Sequence, residues 1–119
     1  MDFELVFKAL GEATRIKIIK LLFHKPMYVC ELESILQMSQ PRISQHLKTL
    51  KTAGLLDMEK EGQRVIYFLN RSVMNSIFSD FLVFLDKPLD QLSDYTQVHE
   101  RMKLAAEDED INICKFNYK

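Results

Sequence analysis

The chain has 119 residues, of which 47% are hydrophobic, and its formal net charge is −1. This length leaves room for one modest core, so we expect one main domain. The sequence contains no apolar run long enough to cross a membrane and no signal peptide, which predicts a cytoplasmic protein with no membrane partner. Its two cysteines are 84 positions apart and make no disulfide framework, as is typical of a reducing compartment.

Charge is distributed unevenly along the chain. Residues 37–71 carry six Lys and Arg against three acids, a net charge of +3. Residues 86–110 carry eight acids against three bases, a net charge of −5. Because local charge governs attraction to phosphate, the basic segment is compatible with nucleic-acid binding despite the net charge. By charge alone, an ordinary mixed surface is an equally good interpretation.

The first part of the chain predicts three short helices. Residues 3–10 form an apolar helix that stops at Gly11. Residues 12–23 form a second helix, which ends before Pro26 and buries one side that holds Ile16, Ile19, Leu22 and Phe23. Residues 28–36 form a third helix, which is buried through Val29, Leu32, Ile35 and Leu36.

A fourth helix follows after a break of two residues, Gln37 and Met38. Ser39 is a suitable N-cap, and Pro41 is tolerated in the first turn. One buried stripe has the spacing i, i+4 and i+7, with Ile43, Leu47 and Leu50. The opposite face carries amide, hydroxyl and cationic groups that suit base edges and phosphates, namely Gln40, Arg42, Ser44, Gln45 and Lys48. The third and fourth helices therefore predict a helix-turn-helix.

Residues 55–60 and 64–69 predict a β-hairpin with Gly62 near its tip. Gln63 and Arg64 lie close to this tip, from which they could reach a phosphate or the minor groove. An ordinary exposed hairpin is the alternative. Together with the preceding helices, the hairpin predicts a mainly α fold with a small β-hairpin, a winged helix-turn-helix.

Residues 72–85 hold nine large apolar side chains, more than one face of a monomeric helix should bury. With the apolar first helix, they predict a dimer interface, although a plain core helix is an alternative. We therefore expect a DNA-binding and dimerisation domain over residues 1–85 and an acidic extension over residues 86–119. The extension predicts a further helix at about 90–106 and an apolar end that docks, at residues 111–116.

Five stretches occur in a familiar order and spacing: Ala9–Arg15, Val29–Leu32, Ser44–Leu47, Leu50–Leu55 and Gly62–Tyr67. They resemble the ArsR/SmtB family of winged-helix transcriptional repressors, over about residues 3–85. The resemblance implies a homodimer that binds a palindromic operator in double-stranded DNA. It also implies an inducer whose binding weakens the affinity for DNA.

By position in that family, base contacts would come from Gln40, Ser44 and Gln45. His46 matches a common family residue that either meets DNA or packs inward. Phosphate contacts and non-specific affinity would come from the cations Arg42, Lys48, Lys51 and Arg64, with Gln63 beside the last of these.

The resemblance also identifies candidate inducer sites. Members that sense zinc, cobalt or nickel carry paired histidines on the last long helix, whereas residues 72–103 contain only His99, so no zinc site is expected. Arsenic-responsive members often carry Cys-Val-Cys-Asp/Glu-Leu, and here Tyr28 replaces the first cysteine while Cys30 matches the second. Some of them end in Ile-Cys-Lys, which resembles the segment around Cys114. Soft trivalent arsenic or antimony favours thiolate, so Cys30 and Cys114 are candidate ligands.

Two thiols are fewer than the three of a tight pyramidal arsenic site. An organoarsenical, which needs only two, is therefore a credible inducer. Thiol redox sensing is an alternative use of the same pair. A winged-helix module that binds proteins and has no inducer site is another. The sequence shows no phosphate-binding loop and no catalytic constellation, so we expect neither an enzyme nor a required cofactor.

Overall fold

The computed structural model describes residues 2–117. Its helices are α1 (Phe3–Leu10), α2 (Ala13–His24), α3 (Val29–Leu36), α4 (Gln40–Thr52), α5 (Arg71–Asp86), α6 (Thr96–Glu107) and α7 (Glu109–Phe116). Its strands are β1 (Met27–Tyr28), β2 (Leu56–Glu61) and β3 (Arg64–Leu69). Within the described range, none of these helices is long and apolar enough to cross a membrane.

The chain divides into two compact units, of which the first ends at Phe81 and the second begins at Leu82. The division falls inside α5, a few residues before the domain boundary that the sequence predicts. The first unit contains α1 to α4, all three strands and most of α5. The second contains the end of α5, two short 3-10 turns (Leu89–Gln91 and Ser93–Tyr95), α6 and α7.

The first unit is a winged helix-turn-helix, as predicted. Gln37 adopts a left-handed φ of 55°, which ends α3 and turns the chain toward α4. Gly54, with φ 82°, follows the last turn of α4 and leads the chain into β2. The strands form an antiparallel sheet in the order β1-β3-β2, in which Met27 pairs with Tyr67. The sequence did not predict β1, because a strand of two residues is too short for an alternating pattern.

The core of the first unit lies between α4 and the elements around it. Ile43, Leu47 and Leu50 of α4 are fully buried, which confirms the predicted stripe. Leu32 of α3 and Ile18 of α2 are also fully buried beside them. This packing fixes which side of α4 faces solvent.

Two predicted burial patterns are wrong in part. In α2, Leu22 is buried as predicted, but Ile16 and Phe23 are 49% and 53% exposed, and Ile18 is buried although it was not expected to be. In α3, Ile35 is 50% exposed although it was expected in the core. Because α2 has Ile and Leu on several sides, periodicity permits more than one stripe, and packing against α1 and α4 selects one of them.

In the second unit, the predicted helix at 90–106 begins later than expected, since 3-10 turns occupy its first residues. Phe84 and Tyr95 make an edge-on ring contact with centroids 5.7 Å apart. The side chain of Asp108 caps α7 by accepting from the backbone N–H of Asp110 and Ile111. The apolar end of α7 is exposed, with Phe116 at 88%, so its docking stays a prediction.

Candidate nucleic-acid interface

The polar face of α4 lies opposite the buried stripe. We use this name for Gln40, Arg42, Ser44, Gln45, Lys48 and Lys51. All six are exposed except Ser44, which is half-buried. Because Ile43, Leu47 and Leu50 fill the core, the helix cannot rotate to hide these groups without exposing large apolar side chains. The fold therefore presents a row of cations and hydrogen-bonding groups to solvent.

Two of the predicted base-contacting residues are bonded to each other. The Gln40 side-chain amide donates to the Ser44 hydroxyl oxygen at 2.8 Å, across one helical turn. This bond leaves the Gln40 amide oxygen as an acceptor and the Ser44 hydroxyl proton as a donor. The Gln40 oxygen and the Ser44 hydroxyl can therefore pair with a donor and an acceptor on a base edge in the major groove.

The β2–β3 hairpin, called the wing below, stands beside the start of α4. Its turn consists of two residues, with Gly62 at φ 64° in the first position, where the hairpin turn favours glycine. Gln63 and Arg64 are exposed at this turn. The guanidinium of Arg64 lies over the ring of Tyr28, 4.4 Å from its centroid.

Tyr28 connects the wing to α3. Its hydroxyl donates to the carboxylate of Glu61 on β2, and this hydrogen bond, with burial, raises the pKa of the phenol. Its backbone N–H donates to the Glu31 carboxylate at 3.0 Å, at the first turn of α3. The residue that stands in place of the first cysteine of arsenic-responsive members therefore holds Arg64 against the start of α3.

A cavity of about 360 Å³ opens where α3, α4 and the wing come together. Cys30, Gln40, Gln63 and Arg64 are among its lining residues, beside Tyr28, Val29, Glu33 and Val65. The structure thus brings the candidate effector ligand Cys30 next to three of the candidate DNA-binding residues. Cys30 is exposed as a free thiol, and Cys114 is an exposed free thiol on α7 of the second unit.

His46 differs from its neighbours on α4, because its side chain is only 18% exposed. Its Nδ1 lies 3.3 Å from Nη1 of Arg15 and 3.9 Å from a carboxylate oxygen of Glu12. The sequence left open whether this histidine meets DNA or packs inward, and the structure places it against α2. Arg15 itself is half-buried.

Arg15 and Glu12 form the rest of this cluster. Arg15 donates from Nε to the Ala9 carbonyl oxygen and from Nη2 to that of Lys8, at the carboxyl end of α1. Glu12 accepts from the backbone N–H of Arg15 at 3.0 Å as the N-cap of α2. This hydrogen bond lowers the pKa of the Glu12 carboxyl, and attraction to His46 lowers it further. The cluster leaves no local signal in the sequence, because Arg15 and His46 are 31 residues apart and lie on two helices.

Metal-ligating groups do not cluster in the part of the chain that the structure describes. Across residues 2–117, no three His, Cys, Asp or Glu side chains come together where they could hold a metal ion.

Comparison with known proteins agrees with this architecture. The sequence profile of the arsR family of bacterial regulatory proteins matches residues 12–57. The transcriptional repressor SdpR of Bacillus subtilis is 35% identical over 82 residues, which cover 69% of this chain and 91% of SdpR. The arsenic resistance transcriptional regulator ArsR1 of Pseudomonas putida is 41% identical over 70 residues, 58% of this chain and 55% of the relative.

Further matches extend the comparison to cadmium resistance and to a solved dimer. The cadmium resistance regulatory protein CadC of Listeria innocua is 37% identical over 71 residues, 58% of this chain and 60% of CadC. A homodimeric winged helix-turn-helix domain from Mycobacterium bovis superposes with a TM-score of 0.57 at 28% identity, over 69% of this chain and 76% of that one. The chain therefore belongs to the arsR family of bacterial regulatory proteins, and it is a winged-helix transcriptional repressor rather than an enzyme.

Proposed function

We propose that this repressor is a homodimer that binds a palindromic operator and is released by a thiol-binding effector at Cys30. The effector is trivalent arsenic, antimony or an organoarsenical. The cavity that places Cys30 beside Gln40, Gln63 and Arg64 carries this proposal, because one small site adjoins both the recognition helix and the wing.

DNA would be read by α4 in the major groove. The Gln40–Ser44 pair and Gln45 supply base contacts, and the cations of the polar face supply phosphate contacts. Arg64 and Gln63 at the wing reach the neighbouring backbone or minor groove. In a symmetric dimer the two recognition helices enter successive major grooves about 34 Å apart, which requires two-fold symmetry in the operator.

Apolar surface on α1 and on the first part of α5 supports the dimer. Phe7 of α1 contacts the rings of Phe78 and Phe81 on α5, with centroids 6.5 and 4.8 Å away, so the two helices lie side by side. Leu5 and Phe78 are nonetheless each 43% exposed. A second protomer that covered these side chains would remove their apolar surface from water. The solved relative from Mycobacterium bovis is a homodimer.

A soft effector fits the chemistry of the site. Thiolate sulfur is the protein ligand that soft centres prefer, and Cys30 is an exposed thiol at the cavity. Cys114 is the second thiol that the chain offers, and an organoarsenical needs only two. The relatives named for arsenic and for cadmium resistance support a thiol-binding effector without distinguishing the two elements.

Release would follow from changes around the cavity. An effector bound to Cys30 occupies space that Gln40 and Arg64 also line, so it alters how α4 and the wing are held relative to each other. A coupling free energy of about 1–3 kcal/mol would lower DNA affinity by roughly 5- to 150-fold.

Fluorescence anisotropy of the reduced protein on a labelled duplex from upstream of its own gene tests the proposal. We expect arsenite or phenylarsine oxide to release wild-type protein and to leave Cys30→Ser bound. Cys114→Ser removes the other exposed thiol. Loss of release in this variant assigns Cys114 as a second ligand, and retained release shows that the effector binds Cys30 without it. Release of Cys30→Ser as readily as wild type would place the effector site elsewhere. Salt-sensitive binding that neither compound disturbs would discard the arsenical effector.

A further inference from the structure

We propose that His46 positions α4 for operator binding through its contact with Arg15, and that protonation of its imidazole weakens the binding. The inference rests on the proposed role of α4 in reading DNA. It assigns to His46 an indirect role, because the side chain lies against α2 and is 18% exposed, unlike the cations of the polar face.

Arg15 of α2 bonds to residues of both α1 and α4. Its guanidinium donates to two carbonyl oxygens at the carboxyl end of α1, those of Lys8 and Ala9. The same group reaches Nδ1 of His46 at 3.3 Å. A planar guanidinium with several fixed donors holds these partners in one geometry. The contact therefore fixes one edge of α4 relative to α1.

This contact requires a neutral imidazole. A guanidinium has donors only, so Nδ1 of His46 must be the acceptor and the ring proton must lie on Nε2. Protonation at Nδ1 removes the acceptor and leaves two cations 3.3 Å apart. The carboxylate of Glu12, 3.9 Å from Nδ1, attracts the protonated ring, so protonation exchanges an Arg15 partner for a Glu12 partner.

The charged groups around His46 favour the contact with Glu12 once the imidazole is protonated. Glu12 is the N-cap of α2 and Arg15 lies in its first turn, and no other carboxylate oxygen among residues 2–117 lies within 4 Å of a ring nitrogen of His46. From α1, Lys8 contributes its carbonyl oxygen to Arg15, while its ammonium pairs with Glu4 at 3.4 Å. The pKa of the Glu12 carboxyl lies below its ordinary value, so this group carries its negative charge at neutral and mildly acidic pH.

The sign of the pH effect separates this role from direct DNA contact. A histidine that faces phosphate gains affinity for DNA when it is protonated, because it adds a positive charge. A histidine that must accept a hydrogen bond from Arg15 loses the contact instead. We therefore expect operator affinity to fall by about fivefold, relative to a non-titrating variant, as the pH is lowered from about 8 to about 5.5.

The experiment measures operator affinity at both pH values for wild type and two variants. His46→Asn keeps an acceptor near the position of Nδ1 and cannot be protonated, so it should bind well and lose the pH-dependent decrease. His46→Leu removes the acceptor, so it should bind about fivefold more weakly at both values. His24→Asn, at the exposed end of α2, is the matched control and should retain the wild-type decrease. Thermal unfolding at each pH value verifies that every variant is folded.

Two outcomes would overturn the inference. In the first, the operator affinity of His46→Asn depends on pH as strongly as that of wild type. In the second, the operator affinity of wild type rises on acidification, whereas that of His46→Asn does not change. Lys48→Ala, measured in parallel, tests the underlying role of α4. If Lys48→Ala and His46→Leu both bind like wild type, the proposed DNA-reading face fails. If Lys48→Ala binds more weakly while His46→Leu binds like wild type, only the role of His46 fails.

Discussion

Removal of one exposed cation from α4 should change the salt dependence of DNA binding by a calculable amount. Four of the cations exposed on α4 and the wing are the candidate phosphate contacts of each protomer, namely Arg42, Lys48, Lys51 and Arg64. Each phosphate contact changes the slope of log K against log salt by about −0.9. If all four cations of both protomers meet phosphates, the slope for a dimer is about −7.

Lys48→Ala removes one such contact from each protomer. The slope should become less steep by about 1.8, so between about 50 and 200 mM salt the variant loses roughly tenfold less affinity than wild type. Because Lys48 is exposed and lies beside the buried stripe rather than in it, the substitution should alter stability by no more than about 0.5 kcal/mol.

The assay is anisotropy on one operator duplex over a series of salt concentrations. Gln45→Ala is a neutral control on the same face, and it should lower the preference for operator over random duplex while leaving the slope unchanged. Lys20→Ala is a charged control, since Lys20 is exposed on α2 at a groove lined by Ile35 and Leu36. An unchanged slope in Lys48→Ala, or an equal change in Lys20→Ala, would refute the reasoning.

Three further predictions concern stability and the wing. Leu47→Ala should lower the free energy of unfolding by about 2–5 kcal/mol in urea titrations, because Leu47 is fully buried; a loss below about 1 kcal/mol would contradict its place in the core. Tyr28→Phe removes the hydroxyl but keeps the ring beneath Arg64, so operator affinity should decrease less than in Tyr28→Ala; equal decreases would show that the ring contact does not matter. The lowered pKa of Glu12 adds stability above the ordinary pKa of 4.5, and this stability is lost as the pH falls through the lower folded value. Melting temperatures of wild type and Glu12→Gln should therefore converge on acidification, and a constant difference would exclude the linkage.

Local sequence signals predicted most of the first unit. The buried stripe of α4 follows directly from i, i+4 and i+7 spacing, and Gly62 marks the turn of the wing. The ends of α1 and α2 follow from Gly11, a poor helix former, and from Pro26, which disfavours a helical conformation of the residue before it. These features depend only on residues close together in the chain.

The remaining features depend on contacts between distant residues. Which stripe of α2 is buried is decided by packing against α1 and α4, so periodicity could not select Ile18 over Ile16. The position of His46 depends on Arg15, 31 residues earlier in the chain. The cavity at Cys30 likewise requires α3, α4 and the wing together, although the sequence did name Cys30 and Arg64 as candidates.

The most direct test of DNA reading by α4 and the wing is the change in backbone amide chemical shifts of isotopically labelled protein when operator duplex is added. The proposed interface predicts the largest changes between Gln40 and Lys51 and around Gln63 and Arg64. Residues of α6 and α7 should change least at the same protein-to-DNA ratio. Changes concentrated in the second unit, with α4 and the wing unaffected, would contradict the account.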